Sequence, residues 1–211
     1  RRRNTLVKQV GVSKYDGLVP VKIVKGITEE ISGMRFKFGW KSSKTDDPHG
    51  HWNHRIIKQK KNVITDGSHL ISEEYPYLRE YIEWLKSDFF GPSNLLRFYV
   101  NAHTYGIDGY PHTDTKRDRG EQTVVLYMPP EWEPKWAGET VVLNEAADDI
   151  SDSVLPRYGR LFVFPSNRFH AARSVSRACN VMRATLVCKM GPEVQEGEDE
   201  GDDDDDEEED E

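Results

Sequence analysis

His112 and Asp114 stand two residues apart at the end of the segment RFYVNAHTYGIDGYPHTD, residues 97–114. In extended backbone, side chains i and i+2 project to the same side. An imidazole nitrogen and a carboxylate oxygen can therefore meet on one cation without bending the chain. With 7 His and 37 Asp/Glu in 211 residues, such a pair arises by chance roughly once in a chain of this make-up, so it carries weight only alongside a third ligand. His170, in PSNRFHAARSV, follows directly on the apolar run RLFVFP. Alone it reads as an ordinary hydrogen-bonded histidine. With His112 and Asp114 it completes a two-histidine, one-carboxylate set that occupies one face of Fe(II) and leaves the opposite positions open. Iron and three protein ligands cannot provide every electron that dioxygen chemistry needs, so the chain should also hold a co-substrate.

Arg183 is the candidate anchor. It lies in the run NVMRATLVCKM (180–190), where alternation puts Val181, Arg183, Thr185 and Val187 on one face and Met182, Ala184, Leu186 and Cys188 on the other. A guanidinium inside an apolar strand is costly to bury unless an acid pairs with it, and its fork suits a carboxylate held by two hydrogen bonds. A dicarboxylate with one end on the metal and the other on Arg183 would meet both needs. Tyr127, in QTVVLYM, either adds a phenolic hydrogen bond to the same carboxylate or packs in the core.

These residues need a scaffold. Residues 73–89 show helical periodicity, with Leu78, Tyr81, Ile82, Leu85 and Phe89 on one face and Gly91-Pro92 as the stop. Strands are expected at 95–103, 122–128, 139–143, 160–165 and 180–190, and LVPVKIVKG and MRFKFGW, within residues 18–40, read as extended edge pieces. The stretch KSSKTDDPHGHWNH reads as a polar loop. Its three histidines, His49, His51 and His54, have Pro48 before them and Gly50 among them and no recognised zinc spacing, leaving a metal cluster, a substrate-facing loop or plain polar surface. Many short strands behind a helical flank point to a mainly β fold with flanking helices, a double-stranded β-helix (jelly roll, cupin-like). No internal repeat is present.

Residues 193–211 hold 15 Asp/Glu and no Lys or Arg, so residues 1–192, with 22 acidic against 29 basic side chains, carry about +7 while the whole chain is −8. We read 1–192 as one domain and 193–211 as a disordered acidic tail, either solubilising or competing with an anionic partner for the basic body. Cys179 and Cys188 sit in or beside one strand and should be free thiols in a reducing compartment. No stretch has signal-peptide character or membrane-spanning length. The expectation is a soluble, intracellular (cytoplasmic) protein; the sequence begins with Arg1 rather than Met.

HTD, EQTVVLYMPPEW, WAGET, LPRYGRLFVFPSNRFHAARSV and NVMRATLV, in this order over about residues 95–190, resemble the iron(II) and 2-oxoglutarate-dependent oxygenases, in particular their prolyl 4-hydroxylase-like branch. The resemblance implies Fe(II) on His112, Asp114 and His170, and 2-oxoglutarate with its C5-carboxylate on Arg183, assisted by Tyr127. It places Thr140 and Thr185 near the co-substrate and adds ascorbate as reductant. The interval from His170 to Arg183 is a few residues longer than in many relatives, which sets Arg183 against Arg173 and Arg177; only Arg183 lies well inside the alternating strand. The implied reaction hydroxylates a C–H bond, first of all in a prolyl or similar residue of a protein or peptide, with Tyr105, Tyr110 and Trp136 as substrate-side residues or packing. The alternatives are a nucleobase (hence a nucleic-acid partner) or free amino acid as substrate, and a non-catalytic jelly-roll binding module.

Overall fold

The segment LVPVKIVKG is not an extended piece but the start of a helix, α1 (Val21–Ser32). Its buried residues Ile23, Val24, Ile27 and Ile31 fall on one helical face. Pro20 sits at the N-cap, where a proline lacking N–H is tolerated, and its carbonyl accepts the Val24 N–H at 3.1 Å. β-branched composition favoured a strand, but the apolar spacing decided for helix. The structure is a computed structural model that describes residues 11–193 apart from 44–45, 60–62, 117 and 130; the expectation for the acidic tail therefore lies outside the described residues beyond Glu193.

α1 lies against α2 (Pro76–Trp84), which starts at Pro76 rather than Glu73 and continues into a π-helical turn over Leu85–Phe89. The two helices meet at Gly26, where a Cβ would stand 2.1 Å from the Tyr77 ring. Gly26→Ala should therefore destabilise the fold by roughly 2 kcal/mol through overpacking, against the ~1 kcal/mol gain the same change gives in an open helix. The denaturant midpoint measures it. Glu30 of α1 also caps α2, its carboxylate oxygens accepting the N–H groups of Tyr77 (2.8 Å) and Leu78 (3.0 Å). These are donors that a helix N-terminus otherwise leaves without partners.

The large sheet is ordered β1 (Ser13–Tyr15), β8 (Leu161–Pro165), β5 (Gln122–Tyr127), β10 (Arg183–Pro192), β4 (Ser93–His103), β3 (His51–Arg55) and β2 (Lys37–Trp40). The small sheet is ordered β7 (Ile150–Val154), β6 (Thr140–Leu143), β9 (His170–Ala172). All pairings are antiparallel. One face of the large sheet, including Phe98, Val100, Leu126, Val163 and Leu186, packs on the helices. Its other face turns Val125, Tyr127, Phe162, Phe164 and Val187 toward Val142 and Val154 of the small sheet. Two antiparallel sheets face to face with helices on the outside form the expected jelly roll. Every residue of β5 is buried because that strand is covered on both faces.

The expected strands are present within a few residues, and four more, β1, β3, β7 and β9, complete the sheets. These are three to five residues long and have little apolar content, so pairing rather than pattern makes them strands. β3 matters most. It draws His51 and His54 out of the stretch read as a loop, leaving His49 outside any strand. Cys179 and Cys188 are both free thiols. Among the described residues, no helix is long and apolar enough to cross a membrane.

Candidate active site between the two sheets

Backbone pairing brings His112 and Asp114 against His170. The peptide groups of His112 and His170 exchange hydrogen bonds at 3.1 and 3.0 Å, and the Asp114 N–H donates to the Ser166 carbonyl at 2.9 Å. Each histidine is then oriented by a carbonyl two residues earlier: His112 Nδ1 lies 2.7 Å from Tyr110 O and His170 Nδ1 3.0 Å from Arg168 O. A carbonyl oxygen only accepts, so each Nδ1 carries the proton and each Nε2 keeps its lone pair. The two Nε2 atoms face the Asp114 carboxylate, His112 at 3.7 Å from Oδ1 and His170 at 3.6 Å from Oδ2.

Among the described residues these three form the one group able to hold a metal ion, with ligand atoms all within 4.8 Å of one another. The donor set fits a divalent first-row metal: two neutral imidazole nitrogens and one carboxylate. Thr123 on β5 donates to Asp114 Oδ2 at 2.5 Å and is in turn 2.9 Å from Ser166 Oγ, which fixes the carboxylate's orientation. Burial would raise the Asp114 carboxyl, but His170, His112, the Thr123 hydroxyl and Arg97 outweigh it and hold the group below its ordinary value. Burial pushes His170 down to about 4 against the pull of Asp114, so it is neutral at pH 7, as a ligand must be.

The cavity bounded by His112 and His170 is also lined by Thr140, Arg183 and Thr185. Arg183 is 1% exposed. Its Nε donates to Gly138 O at 2.6 Å and its Nη2 to Thr140 Oγ1 at 2.7 Å. Tyr127, fully buried, donates to the same Thr140 oxygen at 2.7 Å, and Arg183 lies over its ring at 5.6 Å. Gly138 holds a φ of +75°, a conformation that disfavours any side chain, and it is this turn that aims its carbonyl at the guanidinium. Among the described residues no carboxylate is ion-paired with Arg183, so a deeply buried cation is held only by uncharged groups. Burial lowers its basicity, partly offset by Tyr127 and Glu139.

Arg173 and Arg177, the rival anchors, are both exposed; Arg177 donates to Tyr105 Oη at 3.3 Å. Tyr105 and Tyr110 are exposed at 54% and 38%. Trp136 instead is buried and packs edge-on against Trp132, outside the cavity lining.

Among the cavity residues not singled out from the sequence are His103 and Asn101 on β4, and His51 was read as part of a polar loop. Alternation in the strand 95–103 does place Tyr99, Asn101 and His103 on one face, which was the available signal. Burial pushes His51 down to about 4; burial, then Arg183 and His51, holds His103 well below its usual range. With His170 this makes three buried histidines whose folded-state values lie beneath the unfolded value near 6.5. Between about pH 6.5 and 4 the unfolded chain binds protons that the folded one refuses, so stability must fall as pH falls. We expect the urea midpoint of the metal-free protein to drop steeply from pH 7 to 5, and His51→Phe to make that drop shallower.

Residues 100–188 match the family model described as the 2OG-Fe(II) oxygenase superfamily. Similar solved structures include a Pseudomonas putida prolyl-4-hydroxylase (18% identity, 87% of this chain and 94% of that one, TM-score 0.61). A second is a 2OG-Fe(II) oxygenase-family oxidoreductase from Burkholderia pseudomallei (19%, 88% and 87%, 0.63). A third is a Trichoplax adhaerens prolyl hydroxylase in complex with a hypoxia inducible factor peptide fragment (18%, 89% and 88%, 0.59). No curated protein sequence matches the chain. At such identities the structural likeness speaks for the fold, and residues 100–188, the part that carries His112, Asp114, His170 and Arg183, are similar to the 2OG-Fe(II) oxygenase superfamily.

Proposed function

We propose that this protein is an Fe(II)- and 2-oxoglutarate-dependent dioxygenase that hydroxylates a C–H bond in a prolyl or similar residue of a protein. The observation that carries this reading is one cavity lined both by the two histidines of a two-histidine, one-carboxylate set and by a buried arginine that pairs with no acid among the described residues. His112 Nε2, His170 Nε2 and Asp114 would hold Fe(II), and Arg183, with Thr140 and Tyr127 behind it, would take the distal carboxylate of 2-oxoglutarate. With both bound, the site supplies the chemistry by which O2 and 2-oxoglutarate convert C–H to C–OH, yielding succinate and CO2.

The chain's own residues do the positioning. Thr123 and Ser166 keep Asp114 from rotating, the Tyr110 and Arg168 carbonyls keep both Nε2 lone pairs turned inward, and Val125, Val187 and Phe164 exclude water between the sheets. Thr140 Oγ1 accepts from both Tyr127 and Arg183, which leaves its own proton for a ligand oxygen. Thr185, on the same wall, stands one step along β10 from Arg183. Tyr105 and Tyr110 offer exposed aromatic surface on the segment leading to His112, suited to a peptide. The peptide bound to the Trichoplax adhaerens structure supports a protein substrate, and ascorbate would serve as reductant.

Anaerobic addition of Fe(II) and 2-oxoglutarate should produce a weak visible charge-transfer absorption. Succinate release should then rise with prolyl peptides, and mass spectrometry should place one added oxygen on proline. Release stimulated instead by a nucleobase or a free amino acid would replace the substrate assignment, and no absorption at all would remove the cofactor pair.

A further inference from the structure

Three neighbouring strands put one row of side chains across the floor of the cavity. In the register of β4 with β10, His103 stands opposite Arg183. In that of β3 with β4, Trp52 stands opposite Ala102, which sets His51 beside His103. The two imidazoles stack, with centroids 4.8 Å apart and planes 19° from parallel. They are 2% and 1% exposed; apart from the approach of His51 to the Asn101 side chain, their ring nitrogens make no hydrogen bond to the described residues.

The next row behaves differently. Asn53 stands opposite Asn101, and Asn101 opposite Thr185. The Asn53 Nδ2 donates to Asn101 Oδ1 at 2.7 Å, so this row satisfies itself from within the protein. Buried polar groups are nearly always paired, and leaving them unpaired costs free energy. A stacked pair whose ring nitrogens are short of partners, His103 most of all, next to a cation without an acid, is therefore built for something that enters the cavity. A second metal does not fit: among the described residues the only group of three able to ligate one is His112, Asp114 and His170. The acidic neighbour, Asp47, spends its oxygens on the N–H groups of Ser42 and His49.

We propose that His51 and His103 are co-substrate-binding residues whose ring N–H groups donate to the carboxylate that Arg183 takes. The cavity would then recognise a 2-oxo dicarboxylic acid by one cation and a two-histidine wall. This rests on the function proposed above. It explains why histidine stands where a phenylalanine would pack without orphaned nitrogens. A neutral imidazole adds a donor without a second positive charge beside Arg183, and burial keeps both rings neutral at pH 7.

The test is calorimetric binding of 2-oxoglutarate to the Mn(II)-loaded full chain, for the wild type, His51→Phe, His103→Phe and His103→Gln. We expect the Kd of the His103→Phe protein to rise roughly tenfold to a hundredfold, the range for losing a hydrogen bond to a charged group. His103→Gln, which keeps an N–H donor, should rise less, and Mn(II) affinity should stay the same in all. The thermal midpoint of the metal-free His103→Phe protein should hold or increase, because carbon replaces orphaned nitrogens. A merely structural pair would give the opposite result, a lower midpoint with unchanged Kd, and would overturn the assignment. Side-chain 15N resonances of His51 and His103 in the wild type give a reading without substitution: they should shift when 2-oxoglutarate is added, and unmoved resonances would also overturn it. A wild type that does not bind 2-oxoglutarate would remove the proposed function itself, whereas equal binding by wild type and Phe variants would remove only the histidine wall.

Discussion

Arg183→Ala should lower the affinity for 2-oxoglutarate by about a hundredfold or more, while metal binding stays intact. The guanidinium is wholly buried and its fixed partners are a carbonyl and a hydroxyl, so no protein acid balances it. A ligand carboxylate would gain a desolvated, charge-assisted pair of the kind whose truncation costs roughly 3–5 kcal/mol. At ~1.4 kcal/mol per decade that is about two to three and a half orders of magnitude in Kd. Arg183→Lys keeps the charge but not the fork, and should fall between. Arg173→Ala and Arg177→Ala should change the affinity little, since both side chains are exposed and Arg177 lies against Tyr105. Titration of 2-oxoglutarate into the Mn(II)-loaded variants decides it. Damage from Arg177→Ala with a mild Arg183→Ala would show that the anchor lies outside the strand.

Loss of Asp114 should be as severe, at a different step. Asp114→Ala removes the single anionic donor between the two Nε2 atoms, so metal affinity should fall by more than the roughly 10–100-fold that outer-shell changes cost, and turnover with it. The fold should survive. Thr123, deprived of the carboxylate, still has Ser166 Oγ at 2.9 Å, and the Asp114 N–H to Ser166 O bond does not depend on the side chain. Asp114→Glu should also fail, because one added methylene displaces the oxygen by more than the ~0.5 Å that a preorganised site tolerates. Near-wild-type Mn(II) binding in either variant, measured by calorimetry beside a circular dichroism check of folding, would exclude the triad as the metal site.

Much of this was legible in the residues alone, for identifiable reasons. The His112/Asp114 spacing, the position of His170 after an apolar run and the lone cation of Arg183 in an alternating strand are local facts, and the local backbone period determines which side chains share a face. Helix α2 and the long strands carry enough apolar residues for their pattern to determine type. Tertiary structure decided what local pattern could not. It turned Val21–Ser32 into a helix, because Gly26 lets it seat on Tyr77 and its apolar side fills the space behind the large sheet. It made a strand of His51–Arg55, whose sequence HWNHR has no strand-like alternation but whose backbone fills the place between β4 and β2. That pairing carried His51 from an apparent loop onto His103, at the same level as Arg183, because strand register is set by backbone hydrogen bonds between segments about fifty residues apart. Trp136, on a short helical turn, packs locally against Trp132 rather than lining the cavity. Sequence determined which groups could do chemistry; register across β3, β4, β10 and β5 decided which of them face one another.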